Sequence, residues 1–288
     1  MKNFLYPRLG VALVLVTASG LLAQTPAADP SAPPKVLQIL REDVKPGKGP
    51  AHQKWEEGWP RAYAKAKWPT SYIAMTSVSG PSEAWFMSGY DTFGAWGKDR
   101  ESFDKNPIKG EDDRLSQGDG EFLSGSRSIV AAYREDLSAW AAGVKLPTMR
   151  YFRVVTYRVR PGHDSDFVDA AKTLKAGYEK ASVKLPWAVY QIVSGLPTPT
   201  YLVFLPMKSF DEIDGAMANS KSIQDALGEE TQKKMSKLAS DGYLSIESNI
   251  YALDSKMSYP SKAWIAGDPE FWTPKPAPAA AKKPAAKP

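Results

Sequence analysis

Residues 151–159 read Tyr-Phe-Arg-Val-Val-Thr-Tyr-Arg-Val, a run of aromatic and β-branched residues that stops at Pro161-Gly162. This pattern predicts a strand followed by a turn. The period then changes: Phe167, Ala170, Ala171, Leu174, Tyr178 and Ala181 recur at helical spacing, with Asp164 and Asp166 where a helix start favours negative charge. An amphipathic helix of about five turns is predicted. Residues 187–193 and 200–205 read as two further strands, joined by the turn-rich Ser194-Gly195-Leu196-Pro197-Thr198-Pro199. Ser209 and Glu212 stand at capping-box spacing and open a second helical region that runs, with a break, to about residue 239. A last strand is predicted over 243–253, so the order is β-α-β-β-α-β.

The same order can be read from residue 36 to about 135, and the two readings share residues. Val44-Lys45-Pro46-Gly47 returns as Val159-Arg160-Pro161-Gly162, and Val78-Ser79-Gly80 as Val193-Ser194-Gly195, both 115 residues on. Tyr63, Lys65 and Ala66 return as Tyr178, Lys180 and Ala181, so nine of 37 ungapped positions are identical. Chance would supply roughly two at about 6% per position. Thr92-Phe93 takes the helix-capping place of Ser209-Phe210. The second helical region of the first copy is poorer: Asn106-Pro107 and Gly110 interrupt it, and Glu111-Asp112-Asp113 reads as a solvated acidic loop. Ala139-Trp140-Ala141-Ala142-Gly143 matches Ala263-Trp264-Ile265-Ala266-Gly267, so each copy ends in a short arm with a tryptophan. We expect each indole to cover a sheet edge or the neighbouring copy in preference to touching a ligand.

A β-α-β-β-α-β unit is the ferredoxin-like plan, four antiparallel strands with both helices on one face. The other face is left bare, which costs tens of cal/mol per Å² of apolar surface. Two copies in one chain remove that cost by pairing sheet to sheet as an intramolecular α/β barrel, an α+β fold. On the Val-Lys/Arg-Pro-Gly turn, the phenylalanine opening the second helix and the Val-Ser-Gly turn, the chain resembles the dimeric α/β-barrel superfamily over roughly residues 35 to 255. That superfamily includes antibiotic-biosynthesis-type monooxygenases, EthD-like and NIPSNAP-like proteins, and the haem-binding chlorite dismutase and dye-decolourising peroxidase groups. The motifs are structural and do not select one activity.

Outside the repeats the chain changes character. Lys2 and Arg8 precede an apolar stretch over 9–22, followed by Ala23, which reads as a signal peptide over 1–23 cut after Ala23. The stretch is shorter than the ~20 residues a membrane span needs, and no other stretch is long enough. We expect a disordered leader over 24–34, repeat 1 over 35–147, repeat 2 with its arm over 148–273, and a disordered Lys/Pro/Ala tail over 274–288. The expected location is periplasmic or secreted. The absence of cysteine excludes disulfides and thiolate chemistry. The net charge of +5 lies at the ends: Lys2 and Arg8 in the leader, and Lys275, Lys282, Lys283 and Lys287 in the tail, against Asp29. Residues 35–273 are neutral, which argues against a nucleic-acid partner. The tail is suited at most to a weak contact with an envelope polyanion.

Two histidines leave little room for familiar chemistry, and no hydrolase elbow, metalloprotease motif, P-loop or Rossmann fingerprint is present. No histidine-rich metal site can be assembled. His163 sits in an exposed turn. His52 takes the place of Phe167, on the buried stripe of the first helix with Trp55, Trp59 and Tyr63, and Glu56 one turn on could orient its ring. If His52 is a core residue, His52→Phe is expected to be neutral or stabilising; if it is a ligand or base, the same change is expected to abolish binding or turnover and leave the fold intact. Trp55, Trp59, Trp68, Tyr63 and Tyr72 form a dense aromatic group that either fills the first copy or lines a pocket for a planar ligand. Trp59-Pro60 should kink the helix.

The resemblance implies a ligand cavity between sheet and helices with His52 at its wall. Haem-binding relatives place a histidine on the proximal side of a cleft, which neither His52 nor His163 matches, so no cofactor is expected and haem is the remote alternative. The first functional reading is an exported protein holding a small apolar or aromatic molecule in the cleft of repeat 1, through Trp55, Glu56, Trp59 and Tyr72. The second is a cofactor-independent monooxygenase or isomerase with His52 or Tyr63 as the base. The third is a structural cell-envelope protein.

Overall fold

The computed structural model describes residues 32–140 and 143–273. The segment expected to be a signal peptide, most of the expected leader, the tail and two residues of the first tryptophan arm, Ala141 and Ala142, lie outside the described residues. The first half runs β1 (Val36–Val44), α1 (Gly49–Glu56), α2 (Gly58–Ala66), β2 (Tyr72–Ser77), β3 (Glu83–Tyr90), α3 (Phe93–Asp104), α4 (Ile108–Asp119) and β4 (Leu123–Tyr133). The second runs β5 (Tyr151–Val159), α5 (Asp164–Lys180), β6 (Ala188–Ser194), β7 (Thr200–Met207), α6 (Asp211–Ala218), α7 (Ser220–Leu227), α8 (Glu229–Asp241) and β8 (Tyr243–Tyr259). Two short helices, α9 (Lys262–Gly267) and α10 (Pro269–Trp272), follow. No described helix is long and apolar enough to cross a membrane.

The eight strands close into one antiparallel barrel in the order β1-β3-β2-β8-β5-β7-β6-β4. The halves therefore meet through two hydrogen-bonded seams, β2 with β8 and β4 with β6. Alternation along each strand sets the layers. Leu37 and Ile39 of β1, Ile73 and Met75 of β2, Phe152 and Val154 of β5, and Tyr251 and Leu253 of β8 share the barrel core. Their neighbours Val44, Ala74 and Ala84 pack in a separate outer layer. Arg41 and Glu83 form an ion pair toward one end of the barrel, where Glu83 also accepts from the Trp85 indole and the Tyr251 hydroxyl, both at 2.9 Å.

The repeated turn motifs have a backbone cause. Gly47, Gly162, Gly80 and Gly195 all have φ between +78° and +94°, the left-handed region that glycine enters without a Cβ penalty. At Gly195 a Cβ would also lie 2.1 Å from the Ser128 carbonyl oxygen. The first helix breaks at Glu57, one turn before Pro60, which has no N–H for the Glu56 carbonyl.

Three expectations are corrected. The acidic run 111–113 is helical, inside α4: Asn106 Oδ1 accepts from the Ile108 N–H at 3.0 Å, Glu111 sits in the first turn, and Asp112 is held by the Trp59 indole. Negative charge there favours a helix start. The 209–212 capping box is not made, since Phe210 precedes α6, Ser209 Oγ turns to Asp211, and Glu212 accepts from the Lys208 N–H. Thr92 does cap α3, accepting from the Ala95 N–H at 3.0 Å. Finally, β8 continues six residues past Leu253, because side chains bridge the irregularity: Asp254 Oδ1 accepts from the Lys256 and Met257 N–H groups, and Ser258 Oγ from Ala74 N–H.

Candidate functional site

At the end of the barrel away from the Arg41–Glu83 pair lies a cavity of about 870 Å³. Leu37, Ile73, Met87, Phe152, Tyr190 and Phe204 bring barrel-interior side chains to it from both halves, and Trp68, Tyr72 and Tyr90 border it from the first half. Trp140 and Trp264, the two arm tryptophans, also border it. Closure of the barrel leaves them no sheet edge to cover, and they lie beside core residues of both halves. The polar wall is Asp99 of α3, whose carboxylate accepts from the Tyr90 hydroxyl at 2.9 Å and from Thr70. Burial first, then the Asp99 charge, raises the Tyr90 pKa, so this phenol keeps its proton.

A second constellation lies outside the barrel wall, between β1 and the helices. Glu42 on β1, His52 and Glu56 on α1 and Asp119 at the end of α4 are each at most 5% exposed. Each offers one donor atom, and the four lie within 4.8 Å of one another. His52 Nε2 stands 2.9 Å from Glu42 Oε2 and 3.6 Å from both Glu56 Oε1 and Asp119 Oδ1. Its nearest partner is thus Glu42, and Glu56 is a more distant neighbour. Glu56 Oε1 and Asp119 Oδ1 have no hydrogen-bond partner beyond each other's carboxyl group, and the buried Tyr72 hydroxyl has none. Burial, followed by Glu42 and Asp119, holds the Glu56 carboxyl well above its usual range. Asp119 is pushed up to about 6 by burial and then by Glu42, with His52 pulling the other way.

Three of the aromatic candidates, Trp55, Trp59 and Tyr63, pack against protein groups away from the cavity. The Trp55 indole donates to the Leu115 carbonyl at 3.0 Å and packs toward Phe122, with ring centroids 6.1 Å apart. Trp59 donates to Asp112 at 2.9 Å. Tyr63 packs between Tyr72 and Tyr259, with centroids at 5.5 and 5.6 Å, and burial raises its pKa. Of the six sequence candidates only Tyr72 borders the cavity. His163 pairs at the surface with Asp166, 2.8 Å away. Sequence reasoning missed Glu42, Asp119, Asp99 and the barrel-interior residues of the cavity. A signal for Glu42 existed: a charge on β1 at the position 115 residues before Tyr157.

No protein-family model and no curated protein matches the chain. Among solved structures, an anthrone oxidase-like protein superposes with a TM-score of 0.54 at 13% identity, covering 79% of this chain and 95% of that one. A protein named as a monooxygenase from Fusobacterium nucleatum matches with a TM-score of 0.48 at 12% identity, over 77% of this chain and 93% of that one. A chlorite dismutase variant from Candidatus Nitrospira defluvii gives 0.45 at 6% identity, over 77% and 93%. The likeness to the anthrone oxidase-like structure is one of fold: a ferredoxin-like α/β barrel, here with the eight strands closed within a single chain.

Proposed function

We propose that this is an exported binding protein, built from two copies of one ferredoxin-like unit, that holds one small apolar or aromatic molecule at the barrel mouth. The observation that carries this reading is the cavity itself, about 870 Å³ and walled by Met87, Phe152, Tyr190, Phe204 and the two arm indoles. Pockets that bury drug-sized ligands have this size and this apolar lining with a few convergent polar groups, here Asp99 and Tyr90. The cavity draws on both halves, so the site extends beyond the cleft of repeat 1. The lysine tail would add a weak contact with an envelope polyanion.

The oxygenase reading has one foothold, Tyr72, which borders the cavity and also faces the buried carboxylates. Burial, then Glu56, raises its pKa well above the ordinary phenol value, so it would serve as a proton donor before it served as a base. His52 and Tyr63 do not border the cavity.

Titration with an apolar naphthalene fluorophore tests the binding reading. One probe per chain should bind and quench tryptophan emission, and Met87→Trp, which fills the cavity, should weaken binding at least tenfold. Unchanged affinity in that variant would remove the cavity as the site.

A further inference from the structure

We propose that Glu42, His52, Glu56 and Asp119 form a site for one divalent transition-metal ion of the Mn²⁺ or Zn²⁺ class. The donor set points to this class: carboxylates suit Mg²⁺, Ca²⁺ and Mn²⁺, imidazole suits Zn²⁺ and its neighbours, and a single site with both favours ions that accept either. The geometry agrees. Ligands held ~2.1 Å from an ion in tetrahedral array stand ~3.4 Å apart, and His52 Nε2 lies 2.9, 3.6 and 3.6 Å from its three carboxylate oxygens.

Independent observations point the same way. Glu56 Oε1 and Asp119 Oδ1 are buried and have no hydrogen-bond partner beyond each other's carboxyl group, although each has lone pairs to satisfy. The Tyr72 hydroxyl is also buried and unpartnered. A divalent ion would largely offset the charge of carboxylates gathered around His52. The fold does not require this chemistry, as the other half shows. There Tyr157, Phe167, Tyr201 and Tyr243 pack the matching layer, with the Phe167 and Tyr201 rings stacked at 4.1 Å. The first half has Glu42 and His52 where the second has Tyr157 and Phe167, each 115 residues on. The site shares no donor with the barrel-mouth cavity, so it stands or falls separately from the binding reading.

The test uses the full chain, stripped with a chelator and then titrated with Mn²⁺ or Zn²⁺ by calorimetry and thermal melting. We expect one ion per chain, a chelator-reversible rise in melting temperature, and nitrogen coupling from the imidazole in the pulsed EPR spectrum of the Mn²⁺ form. Glu56→Gln and Asp119→Asn should each lower affinity at least tenfold, whereas Glu111→Gln on the exposed face of α4 should leave it unchanged. The proposal is overturned if neither ion binds saturably to the stripped wild-type chain, if bound Mn²⁺ shows no nitrogen coupling, or if the Glu56→Gln/Asp119→Asn variant binds as the wild type does. The EPR readout needs no variant, so it decides the matter even where an amide substitution fails to fold.

Discussion

A phenylalanine at position 52 would copy the second half, where Phe167 stacks on Tyr201, and on the core-residue reading of the sequence that change is neutral or stabilising. The structure reverses the sign. His52 Nε2 is 2.9 Å from Glu42 Oε2, and the Glu42 carboxylate is only 5% exposed. Removing the imidazole would leave a buried acceptor without its donor, at about 1–3 kcal/mol. Denaturant unfolding of the chelated protein should show His52→Phe destabilised by that amount, and the pair His52→Phe with Glu42→Leu recovering most of it. Additivity of the two changes would mean that the groups are not coupled. The register of the repeat made His52 legible as the odd residue on a buried stripe. It hid Glu42, which lies just before the ungapped block, and Asp119, which falls where the halves no longer keep one offset: Val44 pairs with Leu123 but Val159 with Tyr243.

Helix α4 shows where periodicity stops being informative and packing takes over. Its glycines and acidic run argue for a loop, yet two of those residues have opposite roles. A Cβ on Gly118 would lie 2.2 Å from the Trp55 ring, so the missing side chain lets the indole lie against the helix and donate to the Leu115 carbonyl. Gly110 has nothing within 4 Å of the same atom. Gly118→Ala should therefore cost about 1–3 kcal/mol through overpacking. Gly110→Ala should gain about 0.5–1 kcal/mol through helix propensity. Thermal melting of the two variants side by side checks the contrast, and a loss at Gly110 would mean that α4 is not helical there. The long, strongly periodic α5 needed no such help, because its stripe from Phe167 to Tyr178 is continuous.

At the scale of the whole molecule the barrel depends on what closes it. Trp272, fully buried near the end of the described chain, donates to the Pro147 carbonyl at 2.7 Å and packs against Trp264 and Phe271. Trp272→Ala should cost about 3–5 kcal/mol, whereas deleting residues 274–288, whose Lys/Pro/Ala composition cannot build a core, should leave the melting temperature within about 2 °C. The four-strand plan of each half was legible from alternation and turn residues. The cavity was not, because its lining comes from distant strands that only closure brings together.

The two seams predict how half of the chain would behave alone. A fragment of residues 35–147 loses β8 from the side of β2 and β6 from the side of β4, leaving two strand edges unpaired. It also bares Leu37, Ile39, Ile73, Met75 and Ile129, which the second half covers in the closed barrel, and it takes from Glu83 the Tyr251 hydroxyl. In strand order β8 and β6 hold, in the second half, the places that β4 and β2 hold in the first. Two fragments could thus pair β2 of one with β4 of the other and close the same ring. Sedimentation equilibrium should find the fragment as a dimer or as larger aggregates. A folded monomer, with native-like circular dichroism and a cooperative melt, would show that the first half has its own way of covering the inner face and that closure across the halves is not what holds it together.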